Sequence, residues 1–142
     1  MSTTPWQLEL VTIAGRLEAK TKQTRWTDRT EVLLEREFIA GAYAIDKVLR
    51  SSTGSDETAR RRIPVRRLDS GYDLEHSRRD TITVAALCHQ ILNNAVFDFY
   101  CGETADLFDG IYVAPDPDEK NMLLVIASDF IALCNDLGTG NV

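Results

Sequence analysis

Trp6, Leu10, Ile13 and Leu17 recur at spacings of four, three and four, while Glu9, Thr12 and Arg16 occupy the opposite side. That period marks one apolar face of a helix. Pro5 suits its first turn, Thr4 can cap it, and the pattern runs to about residue 22. A second helix is predicted over 30–50, with Asp28 and Glu31 at capping-box spacing before it. Its main stripe is Leu34, Phe38, Gly41, Ala42, Ile45, Val48 and Leu49. Val32, Ile39 and Tyr43 form a second stripe on nearly the opposite side, and a helix apolar on two sides lies between two layers or at a subunit interface. The run Ser51-Ser52-Thr53-Gly54-Ser55 then reads as a loop.

Beyond it the period shortens. Residues 63–68 read as a strand, with Pro64 suggesting an edge or a strand start, and Asp69-Ser70-Gly71 as a turn. Residues 72–79 show no clear period. Thr83 is placed to cap a third helix over 84–93, whose apolar face is Val84, Leu87, Cys88, Ile91, Leu92 and Ala95; Asn94 suits a left-handed end. Strands follow over 96–101, 110–114 and 122–127, separated by a loop over 102–109 and a turn over 115–121. Ser128 is placed to cap a last helix carrying Phe130, Leu133, Cys134 and Leu137, with Gly138 as its stop. The order α-α-β-α-β-β-β-α predicts a single α+β domain, with a small, mainly antiparallel sheet and its helices packed on one face.

Composition adds limits. The chain has 142 residues, 44% hydrophobic and 27% charged, a balance that supports a packed core without staples. No apolar run is long enough to span a membrane. Residues 1–7 lack the basic-then-apolar pattern of a secretory signal, so a cytoplasmic location is expected. The three cysteines, Cys88, Cys101 and Cys134, are widely spaced among apolar neighbours and are expected as buried thiols. The net charge of −6 is uneven: residues 1–97 carry 15 Lys and Arg against 13 Asp and Glu, and residues 98–142 carry one against nine. That balance disfavours general nucleic-acid binding and leaves a protein partner or a second copy of the chain as the favoured occupant.

Three groups of residues invite chemistry. Arg60, Arg61, Arg62, Arg66 and Arg67 could hold phosphate or nucleic acid through charge and bidentate bonds; on a strand Arg60, Arg62 and Arg66 would share one face. The competing reading is a soluble edge strand. Asp73, Glu75, His76, Asp80, His89 and Asn93 form a weaker polar set, since no metal motif or catalytic spacing joins them. Asp116, Asp118, Glu119 and Asn121 lack the glycine and terminal glutamate of a calcium loop and suit a hairpin turn. No C-x-x-C pair, Gly-rich phosphate loop, G-x-S-x-G elbow or H-E-x-x-H is present. No metal and no cofactor are therefore expected. The resulting expectation is a non-enzymatic interaction module that self-associates through Val32, Ile39 and Tyr43. Its alternative is a phosphate- or nucleic-acid-binding accessory protein or enzyme using the 60–67 arginines with His76 and His89.

Overall fold

The four-three-four spacing forms α1 (Pro5–Thr21), which buries Leu10, Ile13, Ala14 and Leu17. A computed structural model describes residues 5–23, 27–51, 55–69, 72–102, 108–118 and 121–140. Thr4, Ser52 to Gly54, Ser70, Gly71 and Glu119 lie outside the described residues. Helix α2 (Asp28–Ser51) buries the main stripe from Leu34 to Leu49. Its start is set by threonines rather than by Asp28 and Glu31. The Thr30 amide donates to Thr27 Oγ1, and the Thr27 amide donates to Thr30 Oγ1, both at 3.3 Å. Two short hydroxyl side chains thereby satisfy each other's backbone donors at the helix entry.

Ser55 belongs to a short helix, α3 (Ser55–Arg60), not to a loop. The chain then forms β1 (Arg62–Leu68) and β2 (Arg78–Thr83). Next come α4 (Val84–Leu92), β3 (Val96–Tyr100), β4 (Gly110–Ala114), β5 (Met122–Ile126) and α5 (Ala127–Thr139). Thr83 caps α4, accepting the Ala86 amide at 3.2 Å. Asn94 is not left-handed, because among the described residues only Asn121 combines a side chain with positive φ. The end of α4 is instead held by the Asn93 amide donating to His89 O and by Asn94 Nδ2 donating to Ile91 O. Ser128 does not cap α5, whose N-cap is Ile126. Gly138 does not stop α5 either; the left-handed C-cap is Gly140 at φ 80°.

The fold is α+β, with one antiparallel sheet in the order β2-β1-β5-β4-β3. Strand β1 is second in that order, not an edge. However, β5 pairs only with residues 66–68 of β1. Pro64 therefore sits where β1 has a strand neighbour on one side alone, as its missing N–H requires.

Side chains alternate across the sheet. Ile63, Val65, Ile82, Ile111, Val113, Leu123 and Val125 face the helices and join the main core with Phe38, Phe108 and Phe130. The opposite face holds Leu68, Tyr112, Ala114, Met122 and Leu124, all buried. Among the described residues no helix packs on this second cluster. It lies against Leu74, and the Tyr72 ring meets Tyr112 edge-on at 4.9 Å. The β1–β2 connection thus folds across the outer face. Cys88 and Cys134 are buried as expected, whereas Cys101, just past the β3 edge strand, is only half-buried.

Candidate functional site

The β1–β2 register decides what the arginines do. Arg60 closes α3, and Arg61 leaves the cluster to bond Asp136 of α5, Nη2 to Oδ2 at 2.8 Å. The five guanidinium groups are therefore not one patch, and Arg60 does not share a strand face with Arg62 and Arg66. Within the hairpin, two arginine pairs stand directly opposite each other: Arg67 with Arg78, and Arg66 with Arg79. Alternation places them on opposite faces.

The pair on the helix side is balanced. Arg67 Nε donates to Asp80 Oδ2, and Arg78 Nη2 lies 3.0 Å from Asp69 Oδ1. The hydrogen bond from Arg67 holds the Asp80 carboxyl below the usual carboxylate range. The pair on the outer side is not balanced in this way. Arg66 Nε donates to the Ser77 hydroxyl at 3.0 Å. Arg62 Nε donates to Thr81 Oγ1 at 2.6 Å and its Nη2 to the Thr81 carbonyl at 2.8 Å. These are neutral acceptors, so they orient the guanidinium groups without cancelling their charge. Among the described residues Arg62, Arg66 and Arg79 have no carboxylate within ion-pairing distance.

The register also aligns one row across all five strands of the outer face: Arg79, Arg66, Leu124, Tyr112 and Asp98. The row passes from cationic through apolar to acidic. Tyr72 Oη donates to Asp98 Oδ2 at 3.0 Å, and burial raises the Tyr112 phenol above its ordinary value. Arg79 was invisible as a member of the arginine group because it lies twelve positions beyond Arg67. Only the hairpin register brings it opposite Arg66.

The histidines are not brought together. His76 lies in the outer connection and is exposed; its Nδ1 is 2.6 Å from Asp73 Oδ2, and that bond lowers the Asp73 carboxyl. Glu75, beside them, is exposed as well. His89 projects from α4, on the other side of the sheet. Asn93 Nδ2 is 3.4 Å from His89 Nδ1 but donates to the His89 carbonyl at 2.9 Å, so Asn93 closes a helix. Among the described residues no group of three His, Cys, Asp or Glu side chains converges to hold a metal ion. Asp116, Asp118 and Asn121 lie in the β4–β5 connection, where Asn121 adopts φ 57°. Burial pushes the Cys88 thiol up to about 12 and raises Cys134 as well, so neither is a ready nucleophile near neutral pH.

A second surface lies on the helices. Val32 is 57% and Tyr43 44% exposed, while Ile39 is half-buried against the core. A shallow depression of about 480 Å³ over α2 is lined by Glu35, Arg36, Ile39, Ala40 and Tyr43. The Trp6 ring meets Tyr43 edge-on at 5.3 Å, and Lys47 Nζ stands 5.3 Å from the same ring. Among the described residues, every exposed large hydrophobic except Tyr72 lies on α1 or α2: Trp6, Leu8, Val11, Val32 and Tyr43. A cleft of about 470 Å³ near the start of α5 is lined by Glu18, Lys22, Asp109, Ser128 and Asn135 among others. No helix among the described residues is long and apolar enough to cross a membrane. No family model, curated protein or solved structure matches the chain.

Proposed function

We propose that this domain is a non-enzymatic interaction module that pairs with a second copy of itself through α2 and the adjoining face of α1. The observation that carries this reading is the apolar row Val32, Ile39 and Tyr43 along one face of α2, with Val32 and Tyr43 exposed and the Trp6 ring of α1 set against Tyr43. Isolated exposed apolar residues are ordinary, but a row of them along one helix face is what interaction sites look like.

The surface is suited to a two-fold axis. In an antiparallel α2 pair centred between Ile39 and Ala40, Ile39 of one copy faces the small Ala40 of the other. Arg36 then faces the ring of Tyr43, a favourable cation–π placement. Each contact occurs twice, as an isologous interface requires. The polar sites give the competing enzymatic reading little support, because His76 and His89 lie on different sides of the sheet and His89 is engaged with a helix end.

Light scattering over a range of concentrations tests the proposal. The expected mass rises above the 15.9 kDa of one chain as concentration increases. Val32→Glu combined with Tyr43→Glu, both at exposed positions, should return it to 15.9 kDa while the circular dichroism spectrum stays native. A wild-type mass of 15.9 kDa at every concentration would overturn the proposal.

A further inference from the structure

The outer half of the β1–β2 hairpin presents a charge arrangement that the fold itself leaves uncompensated. Arg66 and Arg79 are direct cross-strand partners on one face, which puts their Cβ atoms about 5 Å apart. Like charges directly opposite are destabilising. The same hairpin contains its own comparison. Arg67 and Arg78 are opposed in the same way, yet Asp80 and Asp69 neutralise them. On the outer face the neighbouring positions are Thr81, Pro64, Leu68 and Leu124, and none carries a negative charge.

Ser77 and Thr81 fix the guanidinium groups of Arg66 and Arg62 through their Nε atoms. Both terminal nitrogens of Arg66, and the whole guanidinium of the exposed Arg79, therefore remain as donors among the described residues. Planar guanidinium groups oriented in this way, without a carboxylate, match the oxygens of a phosphate group. We propose that Arg66 and Arg79 form a binding site for the phosphate of a compact phosphorylated molecule on the outer face of the sheet. A long polyanion is disfavoured, because the chain carries a net charge of −6 and its residues 98–142 alone carry nine acidic groups against one basic. Those charges repel an extended phosphate backbone more than a single phosphate seated between two opposed arginines.

This site lies on the sheet face away from α1 and α2, so it is independent of self-association. Inorganic phosphate is the probe, compared with sodium chloride at matched ionic strength. Phosphate should raise the melting temperature, through linkage to the folded state, and should shift the Arg66 and Arg79 amide resonances. Arg79→Gln should weaken phosphate binding about tenfold, the loss of a charge-assisted contact. In chloride at low ionic strength the same variant should melt at or above the wild-type temperature, because the like-charge pair is gone. Arg78→Gln, on the balanced face, should leave phosphate binding unchanged. Three results would overturn the site: a phosphate response no larger than that of chloride, an undiminished response in Arg79→Gln, or a short single-stranded oligonucleotide that displaces phosphate and binds more tightly with a steep salt dependence.

Discussion

Phe38 is the side chain on which the aromatic rings of the main core meet. It is fully buried, and its ring touches Phe130 of α5 at 4.8 Å, Phe97 of β3 at 6.0 Å and Phe108 at 5.9 Å. Phe38→Ala is expected to cost about 3–5 kcal/mol, from lost burial plus the cavity left behind. Urea unfolding measures it, and a loss under about 1 kcal/mol would show that neighbours collapse into the space. The helical stripe made Phe38 legible from sequence. Phe108 was not legible, because it sits in the connection over 102–109, where no helical or strand period surrounds it, yet it is fully buried. The arginines follow the same logic. Their number could be read directly, but which of them keep an unbalanced charge depends on carboxylates contributed by α5 and by both ends of the hairpin.

At the scale of elements, α1 and α5 are held together by the absence of a side chain. A Cβ built on Gly138 would lie 2.7 Å from Val11 Cγ2 and 2.9 Å from the Gln7 carbonyl oxygen. Gln7 Nε2 crosses the same contact to the Leu137 carbonyl at 3.1 Å. Because one of the obstructing atoms belongs to the backbone, Gly138→Ala must push the helices apart. A loss of about 1–3 kcal/mol is expected, the usual range for overpacking, against the gain that alanine normally brings inside a helix. Thermal melting reads the sign, and a variant more stable than wild type would mean that the helices separate at no cost. In the sequence Gly138 reads as a helix stop, which the structure corrects to a contact glycine inside α5; only the tertiary neighbour distinguishes the two. Helices with a full apolar face, and the buried strands β4 and β5, could be read from their pattern. Strand β2 could not: Arg78 to Thr81 are all polar and exposed and only Ile82 is buried, so it lacks the alternation that marks a half-buried strand. Its pairing with β1, not its own composition, makes it a strand.

Across the whole molecule, charge and chain order are distributed unevenly, and chain order leaves a mark on the sheet. Strands β3, β4 and β5 are neighbours in sequence and in space, and so are β1 and β2. Among the described residues the two groups share a ladder only between β1 and β5, through Arg66, Arg67 and Leu68 opposite Leu124, Leu123 and Met122. That seam is short, and it joins residues more than fifty positions apart, as in Leu68 with Met122. Closing so long a loop spends chain entropy before the pairing returns any of it. Hairpin and meander are therefore expected to form first and to join late, which makes the sheet two folding units sewn along one line. The same line is where native fluctuations should part it. Amides in the β1–β5 ladder should exchange with deuterium sooner than those in the β4–β5 ladder. If the β4–β5 amides exchange first, the seam is not the weak line of the molecule.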